Sequence, residues 1–423
     1  MSETKAVAQK KVEGTKTLSH RHETLFLWDV RKSNPNGDPN GNEPRIDRYT
    51  KRCDVTDVCI KRSVRNYIAA VSERGNEELL VTRLGADLSE TVTLTKRIDT
   101  YLCGDQERKN ETCDLIKKVL NGRGDEAKDP LKAFLSDPST DSLGKLLSAK
   151  KEDFAKALKG KADEAKAGAT VIQQELIAAL RAHLCRLATD LRMFGSVLAL
   201  QDEMKPLGGP LTGPIQIEMA TSVHRVVQAN KQITSIMGSK EEKEAGIIGD
   251  SHCIEYGLFA TSAIANEHAA VHTGLTDEDH DLFLKSLWRG TRERHTRSKN
   301  AVPRLLIDIE YSKPFHCGDL ISTVELEPLG RDGKKLEEEQ FRDVRDFSLK
   351  LDKLYAKLKK HEAIIKKIRF ASNDLLVRSP DQEKNDYLLI IDVFKNGLGD
   401  GSQDKVEGFE NIDYDPDSAN AKA

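Results

Sequence analysis

The chain is 423 residues long, with 66 Lys and Arg against 69 Asp and Glu, and is 38% hydrophobic but only 5% aromatic. At roughly 150 residues per domain, that length excludes a single small module. A formal charge of −3 with 32% charged residues describes a surface dense in both signs. Affinity for a polyanion therefore has to come from where the cations cluster, not from net charge.

No stretch reaches the ~18 to 20 uninterrupted apolar residues of a membrane helix, and no apolar run follows the start Met1-Ser2-Glu3-Thr4-Lys5. A cytoplasmic protein without membrane contact is expected. Cys53, Cys59, Cys103, Cys113, Cys185, Cys253 and Cys317 are odd in number and show no CxxC or Cys/His ligand spacing. They read as buried small apolar residues, not as a disulfide or zinc framework.

Residues 1–23 are Lys-rich and lack hydrophobic periodicity, as in a flexible basic arm. The first strand is predicted at Thr24–Val30. Asn34 to Pro44 then holds three prolines, two glycines and four asparagines, which enforce a long irregular loop. Thr56 or Asp57 caps a helix through about Val71, with Val58, Val64 and Ile68 on one face and Lys61, Arg62 and Arg65 largely off it. From 75 to 190 the sequence is Ala/Leu/Lys/Glu-rich, a helical insertion. Its last part carries the stripe Ile172, Leu176, Leu180, Leu184, Leu187 and Leu191 on a helix of about twenty residues. Around Gly122 to Gly168 the composition is that of a partly disordered segment.

Strand signals return at Pro214–Met219, running on toward Val227, and at Ile254–Ala260. A polar span, Asn230 to Asp250, projects between them. Thr276 with Asp279 opens a helix whose apolar face is Leu282, Leu284, Leu287 and Trp288, and Leu305–Tyr311 is a further strand. Without the insertion the order is βαββαβ, the ferredoxin-like or RRM-like arrangement of an α+β fold. Phe341 to about His361 then reads as an amphipathic helix, Tyr387–Phe394 as a strand, and the residues after Gly397, with seven acids and two lysines, as a disordered acidic tail.

Phosphate recognition needs cations grouped on one surface, and three groups qualify. The first joins Arg45, Arg48, Lys51 and Arg52 to Lys61, Arg62 and Arg65. The second is Lys285, Arg289, Arg292, Arg294, Arg297, Lys299 and Arg304, seven cations against the single acid Glu293. The third is His224, Arg225 and Lys231. Each alone is more simply a solvated face, but three beside strand ends of an RNA-module topology favour RNA. No aromatic pair of the RNP type is visible, so RNA is expected to be held by its backbone. Met237 can act as a wedge between bases or pack against the rest of the protein. GxGxxG, GxxxxGK[ST], HExxH and GxSxG are all absent, and no cofactor or metal is implied. An alternative is a metal-dependent endoribonuclease using Asp38 or Asp47; turn chemistry is the simpler role for Asp38 in Asn-Gly-Asp-Pro.

Asn34-Pro35-Asn36-Gly37-Asp38-Pro39, Pro44-Arg45-Ile46-Asp47 and the run Val55 to Tyr67 closely resemble the Cas seven family, as do Arg192-Met193-Phe194-Gly195, Leu211–Gln216, Gln232–Ser235 and Thr296–Lys299. These motifs stand in the family's order over about 24–74 and 190–312. Their spelling is nearest to subtypes I-B and I-C. The resemblance implies a CRISPR RNA-binding backbone subunit of the type I Cascade complex, not itself an enzyme. Copies would form a filament along the guide, which pairs with target DNA, beside large, small and repeat-end-binding subunits. It implies a palm split into 24–74 and 191–312, helical fingers at 75–190, a β-hairpin thumb at about 228–252, an extension at 313–395 and an acidic tail at 396–423. Arg45, Thr56, Lys61, Arg62 and Arg65 would lie on the RNA backbone, and Gln232, Thr234, Ser235 and Met237 in or beside the thumb. Asn34, Arg192, Gln216, His224, Arg225, Arg294, Arg297 and Lys299 complete the implied RNA-binding set.

Overall fold

The computed structural model describes residues 16–82, 92–120, 130–150, 162–234, 248–296, 298–331, 334–373, 395, 405–409 and 412, with the backbone alone at 162–168, 233–234, 248–249 and 331. The chain forms two compact units: one within residues 1–19, 68–215 and 266–280, the other within 20–67, 216–265 and 281–423.

The second unit is built on a sheet. Its first strand, β1 (Arg21–Ser33), pairs antiparallel with both β9 (Ile248–Ala265) and β11 (Lys299–Tyr311). Beyond β9 come β7 (Ala220–Ser222), β3 (Cys53–Val55) and β2 (Arg45–Ile46), with β6 (Ile215–Ile217) and β8 (Gln228–Thr234) also on β9 and β10 (His295–Thr296) on β11. Helix α1 (Asp57–Val71) follows β3, and α9 (Asp277–Glu293) precedes β11. The order β11-β1-β9-β7 is that of a split βαβ unit, the fourth strand beside the first and the third between the first and second. The α+β reading of the sequence therefore holds. Both faces of the central strands are covered, which is why β1 reads as an apolar run. Leu25, Leu27, Leu258 and Ile307 pack toward Phe341, Phe347, Leu354 and Leu358. On the alternate face, Phe26 stacks on Trp28 and meets Trp288 of α9.

The first unit is helical, with α2 (Leu94–Cys103), α3 (Gln106–Leu120), α4 (Leu131–Ser136), α5 (Thr140–Ser148), α6 (Ala162–Leu187), α7 (Thr189–Phe194) and α8 (Glu267–Thr273). Leu176, Leu180 and Leu184 are fully buried against Ile98, Ile116, Phe134 and Leu146, as the stripe predicts. The stripe is not one helix, however: the chain leaves the helical conformation at Ala188, and Leu191 lies on α7. Two helices also occupy part of the segment expected to be disordered. A close crossing follows α7, where β4 (Gly195–Leu198) pairs with β5 (Gly209–Thr212). A Cβ on Gly213 would stand 2.2 Å from the Phe194 carbonyl carbon, so this motif glycine serves backbone contact.

Three further sequence expectations need revision. Val58 is 66% exposed, and the inner face of α1 is Ile60, Val64, Tyr67 and Ile68. Phe341 to His361 is not one helix. Asp343 and Asp346 accept backbone N–H groups and wind a tight turn, Phe347–Lys350 (β15) pairs with Glu325–Pro328 (β12), and only Asp352–Lys360 (α10) is helical. A two-residue hairpin, β13 (Gly330–Arg331) and β14 (Lys334–Lys335), lies between those strands. Within the acidic tail, Val406–Gly408 (β17) pairs parallel with β16 (Ile365–Ser372). The strand expected at Tyr387–Phe394 lies outside the described residues. So do most of the basic arm and the centre of the projecting span, 235–247.

Candidate nucleic-acid interface

The Pro/Asn/Gly loop is held by its own side chains. Asn34 Nδ2 donates to the Asn42 carbonyl at 2.6 Å, and Asp38 accepts from the Asn40 N–H at 2.9 Å while pairing with Arg45 at 3.2 Å. Asn36 Oδ1 accepts from both the Thr56 N–H and the Thr56 hydroxyl, at 2.9 and 2.8 Å. The same hydroxyl accepts from the Cys59 N–H, so Thr56 caps α1 as the sequence predicts. The loop is thereby stapled to the helix that carries Lys61, Arg62 and Arg65. Lys61 folds back on Asp57 at 2.9 Å, and Arg62 is exposed.

The start of β11 brings cations of the second basic group to that loop. The Asn34 N–H donates to the Ser298 carbonyl at 3.0 Å, and the Lys299 ammonium donates to the Asn34 carbonyl. Arg294 donates to Ser63 Oγ at 3.1 Å and lies 3.2 Å from Cys59 Sγ, which fixes it over α1. Asn34, Ser63, Arg294 and Lys299 line a cavity of about 30 Å³ together with Phe26, Trp28 and Ile60. Burial, then the cations of Arg294 and Arg62, hold the Lys299 ammonium below its usual pKa. Three cations thus crowd one rim, and an anion placed there relieves their repulsion. Asn34, 3% exposed, leaves its Oδ1 buried beside them, without a partner among the described residues.

Not every expected residue joins this rim. His224 is 1% exposed; it stacks on Tyr256, accepts the Leu258 N–H on Nε2 at 3.2 Å, and burial lowers its pKa to about 4. It is a neutral core residue, because the chain turns inward between β7 and β8. Arg192 grips Asp279 with two bonds of 2.7 Å and donates to the Cys185 and Arg186 carbonyls, so it ties α7 to the start of α9 instead of facing solvent. Arg289 bonds the Tyr67 hydroxyl at 2.8 Å and the Ile412 carbonyl at 2.7 Å, and Arg304 pairs with buried Asp29 at 2.7 Å. Those two cations of the second group serve the interior. Arg225 lies within 4 Å of Glu337, Glu338 and Glu339, which neutralise it. Gln216 and Gln232 are exposed on β6 and β8. The Thr234 side chain, Ser235, Met237 and Arg297 lie outside what is described.

The two candidate catalytic carboxylates are both engaged in turns. Asp38 has the contacts given above, and Asp47 accepts from the Tyr49 and Thr50 N–H groups and the Thr50 hydroxyl, which holds its carboxyl below the usual range. All seven cysteines are free, and five are buried, in keeping with the apolar reading. No helix among the described residues is long and apolar enough to cross a membrane.

Sequence reasoning missed Tyr49, which is 96% exposed at the tip of the Asp47–Arg52 turn among Arg48, Lys51 and Arg52. The signal was present as an aromatic within a basic tetrad, but single-residue exposure in a short loop has no periodicity to reveal it.

Comparison with known proteins places these motifs in context. The family described as CRISPR-associated protein Cas7 matches residues 20–352. A CRISPR-associated protein Cas7 from Haloferax volcanii is 26% identical over 363 residues, covering 81% of this chain and 84% of that one. A solved chain of a CRISPR RNA-guided surveillance complex in a pre-nicking state is 15% identical with a TM-score of 0.46, covering 92% of this chain and 96% of its own. A second chain, from a CRISPR RNA-guided surveillance complex, is 13% identical with a TM-score of 0.40, covering 92% and 94%. With the family match extending over most of its length, this chain belongs to the Cas7 family of CRISPR-associated proteins.

Proposed function

We propose that the chain is a guide-RNA-binding backbone subunit of a type I CRISPR effector complex. Several copies line up along the spacer part of a CRISPR RNA, hold it by its phosphates and leave its bases to pair with target DNA, so that sequence is read by base pairing and the protein reads backbone and shape. The observation that carries this reading is the convergence of Arg62, Arg294 and Lys299 at the end of β1, where the loop, α1 and the start of β11 meet in a protein of the Cas7 family. Lys61 and Arg65 extend that surface along α1, and Arg45 adds to it from β2. The hairpin of β8 and β9 acts as the thumb and carries Gln232 and Thr234, and Ser235 and Met237 follow β8 in sequence. The helical residues between 75 and 190 serve as fingers. The role is one of scaffolding: the carboxylates of Asp38 and Asp47 are spent on turns.

Titration of the full chain with single-stranded RNA tests this. The observed association constant should fall steeply with salt, by ~0.7 logarithmic units per decade of salt for each phosphate neutralised. Replacing Lys61, Arg62 and Arg65 together by Ala should reduce that slope by about 2 while the far-UV circular dichroism stays unchanged. Salt-independent binding, or an unchanged slope in the triple variant, would contradict the reading.

A further inference from the structure

We infer that Tyr49 is a nucleobase-stacking residue, presented on a stiffened basic turn to an unpaired base of single-stranded RNA. The inference rests on the RNA-binding reading and adds to it what the cationic rim lacks, a contact to a base instead of a phosphate.

The turn is built to hold one conformation. The Asp47 N–H donates to the Arg52 carbonyl at 2.8 Å and the Lys51 N–H to the Asp47 carbonyl at 3.0 Å, closing a loop of four residues. Inside it, Asp47 Oδ1 accepts from the N–H groups of Tyr49 at 3.0 Å and Thr50 at 2.6 Å, and from the Thr50 hydroxyl at 2.9 Å. Thr50 Oγ1 accepts from the Arg52 N–H at 3.3 Å. Lys51 takes a left-handed conformation at φ 58°, which a non-glycine residue adopts only when its surroundings impose it. The Lys51 carbonyl accepts from the Val226 N–H at 2.9 Å, fastening the turn to the segment that leads into β8.

At the tip of this frame the chain exposes its most accessible large hydrophobic side chain among the described residues. A tyrosine at 96% exposure contributes nothing to the core, and its amide, not its ring, serves the turn. The turn that presents Tyr49 also carries Arg48, Lys51 and Arg52, all exposed, and among the described residues no carboxylate forms an ion pair with Arg48 or Arg52. The one acid of the turn, Asp47, is occupied by three hydrogen bonds. An exposed aromatic on a turn that also carries three exposed cations matches a partner that alternates flat π surfaces with negative charges, which is single-stranded nucleic acid. A purely protein partner would find the ring but would have to supply several acids as well. Because the turn is already ordered, stacking costs little conformational entropy beyond that of one side chain.

The test uses the full chain and a single-stranded RNA carrying 2-aminopurine, whose fluorescence is quenched when its base stacks. Wild type should quench the probe at a subset of positions. Tyr49→Ala should lose that quench and about ten-fold in affinity, the effect of one lost base stack, whereas Tyr49→Phe should retain both. Since the ring is exposed, Tyr49→Ala should melt with wild type, separating binding from folding. Equal quench and affinity in Tyr49→Ala and wild type would overturn the inference alone. Tyr49→Ala that keeps both on a short RNA yet fails to assemble several copies on a long one would assign the ring to a neighbouring copy, and also overturn it. Wild type that binds no RNA would remove the inference together with the reading beneath it.

Discussion

Among the histidines and arginines of the three basic groups, position in the fold separates those that face solvent from those that serve the interior. His224 illustrates the physics. Its Nε2 accepts a backbone N–H and its ring stacks on Tyr256 and meets Phe341 edge-on, so a proton there would cost both desolvation and an acceptor. The folded pKa is near 4, against about 6.5 for an unfolded histidine. Between those values the unfolded chain takes up a proton that the folded chain refuses. The stability from this residue is therefore complete above about pH 6.5 and is lost as pH falls toward 4, by on the order of 3 kcal/mol. Urea midpoints measured from pH 7 to pH 4 should decline, and His224→Gln, which keeps an acceptor but cannot titrate, should flatten that decline. An identical pH profile in the variant would contradict the assignment. Sequence could show that His224 and Arg225 adjoin; it could not show that one turns in and the other out, because residues leaving a strand have no fixed period.

Helices and strands follow their residue patterns where those patterns are long. The capping pair Thr276 and Asp279 opens α9, each accepting the other's N–H, and the leucine spacing of α6 is buried as written. Phe341 to Leu358 shows the limit. Its buried residues recur at helical spacing, yet Asp343 and Asp346 capture backbone N–H groups locally and the middle becomes β15, since side-chain acceptors compete with the helical ladder. The packing of α9 on α1 makes a further prediction. A Cβ at Gly290 would stand 2.5 Å from the Ser63 carbonyl oxygen and 3.1 Å from the Tyr67 Cβ, so the helices approach only because this residue is glycine. Gly290→Ala should lower stability by about 1 to 3 kcal/mol. It should also weaken RNA binding by shifting Arg294 and Lys299 away from Arg62. Thermal melts together with RNA titration check this; a variant equal to wild type in both would show that the crossing has room to spare.

For the whole molecule, the near balance of 66 cations and 69 anions conceals a division of labour. Some cations stabilise: Arg369 pairs with Asp308 at 2.8 Å and with Asp281, and Arg304 with Asp29. Others are left at the rim. The acidic tail also contributes to the fold, through β17 on β16 and through Lys367 pairing with Glu407. Deleting residues 405–423 should turn β16 into a free edge. Hydrogen exchange at Ile368 and Phe370 should then accelerate by at least an order of magnitude relative to the β1 amides, and aggregation should increase. Unchanged protection would show that the tail strand adds nothing to the sheet.

By itself the sequence determined the class of fold, the order of elements, the helical character of the insertion and the family to which the motifs point. The first three depend on local periodicity, capping and turn chemistry, all of which act over a few residues, and the last on the resemblance of short motifs in their order. The tertiary structure alone decided which cations face outward, that Arg192, Arg289 and Arg304 are bound within the protein, that Val406–Gly408 completes a sheet edge, and that Tyr49 stands free. Those outcomes depend on burial and on partners far away in the chain, such as Arg289 and Ile412 or Arg304 and Asp29. A charge has the same letter in the sequence whether it meets water or a carboxylate, and only the folded neighbourhood tells the two apart.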